Sequence, residues 1–205
     1  MQKQKDTVKQ DILTAAETIF LRKGFAATTM REIAKEAHVG LSNIYNYFHN
    51  KDEIYSELLK PLLKCLYAKV YEHDPTYTTL RSFTDQEYRR KEAQDYLTIA
   101  ARHRRLLKLL LFHSQGSSLA DFRQAYTDKM TEVVSVFFKG MKEKYPQINI
   151  EVSRFFLHLN TSWLLTLMEE LITHRIGEEE MEQFVTEYVR FEMAGWRELL
   201  EIERM

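Results

Sequence analysis

The sequence predicts an all-α protein, and three observations carry that prediction. Gly (6) and Pro (3) are scarce among 205 residues, too few for the tight turns of a sandwich or barrel. Apolar residues recur at helical spacing along most of the chain, and no run alternates as a strand would. Sequences of the helix-capping form, Ser or Thr followed three residues later by Glu, Asp or Gln, stand ahead of several of those stripes. The pattern amounts to about nine helices, with no internal repeat or low-complexity tract competing with it.

The first helix is expected to start at Thr7, where Thr7-Val8-Lys9-Gln10 has the T-x-x-Q form, and to bury Ile12, Ala16, Ile19 and Phe20. Gly24 suits its C′ position, with Phe25 folding back as the apolar partner of a Schellman end. A second box, Thr29-Met30-Arg31-Glu32, opens a helix to about Ala37. The third helix, over 41–48, reads "LSNIYNYF" and is weak helix material, because Asn, aromatic and β-branched residues all rank low in helix propensity. "NKDEIYSELLKPLLKCLYAKVY" then opens a long fourth helix, with Asp52 and Glu53 matched to its N-terminal dipole and Pro61 expected to kink it.

Beyond it, "HDPTYTTLRS" reads as a connector. Thr84-Asp85-Gln86-Glu87 is a further box, starting a helix to about Ala101. "RHRRLLKLLLFH" is a short amphipathic helix broken by Gly116-Ser117. Ser118-Leu119-Ala120-Asp121 opens a helix to about Lys144, and Pro146 lies in the next loop. Two long helices, about 150–174 and 178–203, close the chain on either side of Gly177, the last with Glu178, Glu179 and Glu180 in its first turn.

Bulk properties exclude several classes. With 44% hydrophobic residues the chain can bury a substantial core. Cys65 is the single cysteine, so no intramolecular disulfide forms. The polar start "MQKQKDTVKQ" is no signal peptide, and no apolar run is long enough to span a membrane, so a soluble, cytoplasmic protein is expected. Net charge is −1, but the segment up to Lys51 carries +3 and the remainder −4, an asymmetry that favours nucleic acid at the N-terminal end.

No enzyme is expected. The Glu-x-x-His pairs of a di-iron bundle and the His-Glu-x-x-His zinc signature are both lacking, and Glu170 with His174 reads as a surface pair. "HSQGSS" lacks the Lys-Ser/Thr ending of a phosphate loop. Neither a catalytic residue, a metal site nor a cofactor follows from these residues.

The segment 29–48 has the pattern of a helix-turn-helix. Ile33, Ala37, Val39 and Ile44 supply apolar positions at the crossing, Ala34 is the small residue at close approach, and "HVG" gives the turn. In such a motif the second helix enters the major groove. Ile44 and Phe48 would then face the core, leaving Ser42, Asn43, Tyr45 and Asn46 outside as hydrogen-bonding or stacking groups.

On these residues the stretch "GFAATTMREIAKEAHVGLSNIYNYFHNKDEIY" resembles the DNA-binding signature of the TetR family of bacterial repressors. The resemblance implies a three-helix DNA-binding domain over 1–50 and a helical effector-binding and dimerisation domain over 51–205. It implies that Thr29 and Lys51 hold DNA phosphates, that Arg31 reaches a base, and that Ser42, Asn43, Tyr45, Asn46 and Tyr47 lie on the recognition helix. His38 departs from the pattern by standing where Gly is usual, and Leu41 by replacing a common Lys.

The resemblance also implies a homodimer formed by the last two helices. Phe155, Phe156 and Leu159 line one side of the penultimate helix, and Phe184, Tyr188, Phe191 and Gly195 one side of the last; an ordinary intramolecular core is the alternative. A two-fold dimer sets its recognition helices about 34–36 Å apart, or a multiple of that, on a pseudo-palindromic operator of double-stranded DNA. A small-molecule effector would bind among the central helices, with Tyr96, Phe112, His113, Tyr126, Phe137 and Trp163 as candidate linings. The expected function is a DNA-binding regulator, a repressor released by that molecule. A ligand-independent regulator, and a helical interaction protein keeping the motif as scaffold, stand as alternatives.

Overall fold

The computed structural model describes residues 2–71 and 79–202. Among them every regular element is helical: α1 (Gln2–Lys23), α2 (Met30–Glu36), α3 (Leu41–Ile44), α4 (Lys51–Tyr71), α5 (Arg81–Thr84), α6 (Gln86–Arg102), α7 (Arg104–Phe112), α8 (Phe122–Lys144), α9 (Arg154–Thr173) and α10 (Glu178–Leu199). The expected connector at 73–82 lies largely outside the described residues, as does the expected end of the last helix at 203.

Chain contacts divide the protein into two units, Met1–Lys64 with Arg105–Phe122, and Cys65–Arg104 with Arg123–Met205. In the first unit α2 packs on both α1 and α3. Its core holds Ile12, Ala16, Ile19 and Phe20 of α1 with Ile33, Ile44, Ile54 and Leu59, all essentially without exposure. Phe20, Phe25 and Tyr55 form a cluster of rings 5.1–5.7 Å apart, and the Tyr55 hydroxyl donates to the Leu109 carbonyl at 2.7 Å. Burying a tyrosine requires such an acceptor, and this bond ties α4 to α7.

In the second unit α10 packs along α5 and α6, and α6 also meets α9. Leu165, Met168, Leu171, Ile172 and Val185 are fully buried there. The Arg104 guanidinium donates to the carbonyls of Leu171 (3.1 Å) and Ile172 (2.7 Å), giving the C-terminal end of α9 a cation and two donors at once.

Local signals fared unevenly. The Thr29–Glu32 box forms in both directions, and Gly24 ends α1 at φ +81. That end is a simple αL cap, not the expected Schellman motif. Gly24 N–H reaches the Phe20 carbonyl at 2.8 Å, but Phe25 N–H turns away to the His113 carbonyl at 3.0 Å. The helix α1 also starts at Gln2 instead of Thr7, because the Gln and Lys residues ahead of Thr7 favour helix and nothing there breaks it. The α4 helix runs on through Pro61.

Three further starts moved for tertiary reasons. Asp85 caps α6, its carboxylate accepting from Glu87 N–H, because Thr84 closes the short α5 and its hydroxyl donates to the Leu80 carbonyl. The box at Ser118 does not form: Ser118 N–H goes to the Asp52 carboxylate at 2.8 Å, and α8 starts only at Phe122. Helix α9 starts at Arg154, capped by Ser153, because Asn149 is held to the other end of the unit. Its N–H donates to the Leu200 carbonyl (2.9 Å) and its amide to the Leu199 carbonyl (3.1 Å). Ile202, tucked under a Schellman end with Glu201 at φ +54, stops α10 at Leu199.

Candidate nucleic-acid interface and ligand cavity

The N-terminal interface is built from a turn. α2 ends with the 6→1 and 5→2 bonds of a Schellman motif, Val39 N–H to the Ala34 carbonyl (3.0 Å) and His38 N–H to the Lys35 carbonyl (3.2 Å). His38 occupies the left-handed position at φ +54 that Gly would fill without strain. That turn aims the next segment. Regular α-helix covers only Leu41–Ile44, shorter than the expected 41–48. Residues 45–47 continue in tighter turns, with Asn46 N–H to the Asn43 carbonyl (3.1 Å) and Tyr47 N–H to the Ile44 carbonyl (2.9 Å). The low helix propensity of the stretch accounts for this.

The segment is anchored by Ile44 at 0% exposure and Phe48 at 4%. From that base Ser42, Tyr45 and Asn46 stand exposed, Tyr45 at 48%, while Asn43 and Tyr47 are half-buried. Arg31 and Thr29 are also exposed. The Thr29 hydroxyl is engaged with Glu32, donating to its carboxylate at 2.8 Å. Lys23 holds the same carboxylate at 2.5 Å, and these partners, Lys23 first, bring its pKa down to about 2.

Lys51 turns its ammonium to the loop ahead of α2. Its ammonium donates to the carbonyls of Phe25 (2.8 Å), Ala26 (3.2 Å) and Thr28 (2.9 Å), and lies 4.3 Å from the Phe25 ring centroid. An ammonium has three protons, and all three are committed. Burial, then the charge of Lys23, lowers its pKa. In this arrangement Lys51 fastens the loop between α1 and α2.

The second unit holds a cavity of about 140 Å³. Tyr96 and Phe137 line it as expected residues. Tyr126 and Trp163 lie outside its wall; the Tyr126 hydroxyl is turned to the Leu66 carbonyl (3.0 Å), and Trp163 sits beside Phe191. Phe112 and His113 belong to the first unit. Tyr188, expected on the dimer face, lines the cavity instead, its ring 6.4 Å from that of Tyr96.

The polar side chains of the cavity are Lys69, Thr79, Glu92, Asn160, Thr161 and Glu192 with the hydroxyls of Tyr88, Tyr96 and Tyr188, and of these sequence reading named Tyr96 alone for the cavity. A signal was available. Tyr88-Glu92-Tyr96 and Tyr188-Glu192-Trp196 each place a carboxylate one helical turn from an aromatic on both sides, on a face otherwise given to the core. Lys69 pairs with Glu92 at 3.3 Å and with Asp95 at 2.9 Å. Glu192 accepts from the Asn160 amide at 3.3 Å and from the Tyr188 hydroxyl. Burial first, and then the Glu92 carboxylate, push the Glu192 pKa up to about 7, against the pull of those two donors.

A folded-state pKa above the ordinary value means that ionisation of Glu192 costs stability. The cost is absent below about pH 4.5, grows from there to about 7 and is complete above it. Glu192→Gln is therefore expected to raise Tm by about 5 °C at pH 8, most of the gain vanishing by about pH 5. Thermal unfolding of both proteins across that range checks the sign; a gain that grew on acidification would contradict it.

On α9 and α10 an apolar face is left open. Phe155 is 79% exposed and Phe191 65%, with Leu159, Phe184 and Leu199 also exposed. Gly195 is exposed, and a Cβ there would meet nothing within 4 Å. Phe156 is half-buried, its ring 5.8 Å from Trp196.

Residues 12–58 match the family described as bacterial regulatory proteins, tetR family. The chain is 44% identical over 64 residues to YhgD of Bacillus subtilis, an uncharacterized HTH-type transcriptional regulator, covering 31% of this chain and 34% of that protein. It therefore spans about a third of that relative's length. It is 24% identical over 162 residues to the HTH-type transcriptional repressor KstR2 of Mycobacterium tuberculosis, covering 75% of this chain and 77% of that one. In three dimensions it is similar to a crystal structure described as a TetR-family transcriptional regulator from Syntrophomonas wolfei, with TM-score 0.63 and 22% identity over 99% of this chain and 100% of that one. At that identity the likeness speaks for the fold.

Proposed function

We propose that this chain, whose residues 12–58 match the tetR family of bacterial regulatory proteins, is a homodimeric transcriptional regulator of that family. It represses by holding a pseudo-palindromic operator and lets go when a small molecule enters the cavity of the second unit. The observation that carries the DNA-binding reading is the display at 42–46, with Ser42, Tyr45 and Asn46 exposed over the buried Ile44 and Phe48. A segment of low helix propensity held rigid from below presents amides and a phenol ring in fixed directions, which reading base edges requires. Arg31 and the exposed Lys35 supply positive charge on the neighbouring α2.

The repressor sign rests on the repressor KstR2 among the relatives. The dimer rests on the open face of α9 and α10, where two phenylalanines more than half exposed are costly in water and natural against a second copy. The division of labour at residue 50 and the effector role of the cavity belong to the same reading.

Fluorescence anisotropy with the DNA flanking the protein's own gene tests it. Affinity is expected to fall steeply with salt, as phosphate contacts demand. Tyr45→Ala and Asn43→Ala are each expected to weaken specific binding by about tenfold or more without changing the oligomeric state. Binding that is undetectable, or unmoved by salt and by both substitutions, would leave the motif as scaffold.

A further inference from the structure

The cavity of the second unit has a charge pattern that restricts what can enter it. Seven of its 17 lining residues are aromatic, among them Phe137, Phe138 and Trp196. Two carboxylates, Glu92 and Glu192, face one ammonium, Lys69. Lys69 is itself buried, shared between Glu92 and Asp95, and lies 5.5 Å from the Tyr96 ring centroid. It is held as the counter-ion of its own carboxylates. Glu192 accepts hydrogen bonds from Asn160 and Tyr188, both neutral groups.

We propose that the cavity binds a small organic monocation, its ammonium at Glu192 and its apolar part against the aromatic wall. Three arguments select that class. An anion would meet two carboxylates with the one ammonium already engaged. Where Glu192 is ionised, above about pH 7, a neutral ligand would take water from it and supply no counter-charge. A cation supplies the charge, and aromatic rings attract it by their faces. Size narrows the class further. About 140 Å³ is room for roughly one aromatic ring and its substituent, since an engineered cavity of about 150 Å³ takes benzene.

The titratable groups lining the space with Glu192 are Lys69 of α4, Tyr88, Glu92 and Tyr96 of α6, and Tyr188 of its own helix; α9 contributes the Asn160 amide. Burial and the two carboxylates hold the Tyr96 phenol well above its ordinary pKa, so it stays a donor to Glu92. Glu192 changes charge near neutrality, and a bound cation ionises it. Cation binding should therefore release protons near pH 7 and tighten as pH rises from 6 to 8.

As the identity of the effector this inference rests on the regulator reading above, but the binding can be measured with no DNA present. Isothermal titration calorimetry at pH 8 would compare three probes of one shape: benzylammonium, benzyl alcohol and benzoate. Benzylammonium is expected to bind about tenfold or more tightly than benzyl alcohol, and benzoate most weakly. Glu192→Gln, with its fold checked by circular dichroism, should erase the preference. Should that variant not fold, the ranking in the unmodified protein and proton release near pH 7 carry the test.

The proposal is overturned if benzyl alcohol or benzoate matches the cation, or if benzylammonium shows no saturable binding at millimolar concentration. A preference that survives Glu192→Gln overturns it too. A protein that prefers the cation but binds no operator sinks the regulator reading and upholds this one, and operator binding without the preference does the reverse.

Discussion

Replacing both Phe155 and Phe191 by glutamate is expected to yield a folded monomer and to lower operator affinity by about 100-fold or more. Both side chains are mostly exposed in the single chain, so the substitutions remove little of its own packing. In a dimer joined through α9 and α10 the same positions would be buried, and carboxylates placed there face one another across the two-fold axis without partners. The large effect on DNA has a separate origin. A dimer that has bound one half-site holds its second reading segment beside the other half-site at high effective concentration, and a monomer forfeits that gain. Sedimentation velocity with anisotropy on one-half-site and two-half-site duplexes measures both parts. A dimer that persists in the double variant would move the interface elsewhere, and half-site affinity should change little in either case.

Lys51→Met is the second large effect, and it falls on stability. The substitution keeps an apolar stem over Phe25 and removes the ammonium, leaving the carbonyls of Phe25, Ala26 and Thr28 without their shared donor. Bonds from a charged donor are worth more than neutral ones, though three from one group do not add in full. A loss of about 2–4 kcal/mol is expected in urea unfolding. The salt dependence of DNA binding by the folded variant separates the two roles Lys51 has been given. A phosphate contact predicts a slope shallower by about one counterion, and the carbonyl clamp predicts no change. The geometry favours the clamp. The loop it fastens precedes Thr29, so the cap of α2 and the direction of the reading segment depend on it.

How much of this was legible beforehand depended on the range of the interaction. The Thr29–Glu32 box and the Gly24 stop were readable because each is settled within about six residues. The boxes read at Ser118 and Thr84 failed where a competitor intervened. For Ser118 the competitor was Asp52, 66 residues away, and the capping form of the sequence cannot register that distance. The orientation of 41–48 was legible too, since Ile44 and Phe48 point one way at helical spacing, but its helix length was not, because propensity says a stretch is weak without saying where it tightens.

Apolar spacing alone could not decide what an aromatic residue was for. Tyr188 and Phe191 lie on one helix three residues apart, yet one lines the cavity and the other is open to solvent. Of six aromatic and histidine side chains expected around a ligand, Tyr96 and Phe137 line the cavity. Periodicity reports that a face is apolar, and the neighbour it meets comes from another part of the chain.

By itself the sequence determined the helical class, the helix-turn-helix and the residues it displays, since these follow from propensity, caps and apolar spacing over short stretches. Tertiary structure decided where long-range partners fall: Lys51 to carbonyls 23–26 residues back, Ser118 to Asp52, and Lys69, Glu92 and Glu192 into one cavity from α4, α6 and α10. A charge in water and a charge in a cavity look identical in a sequence. What separates them is the desolvation and the counter-charge supplied by helices that meet only after folding.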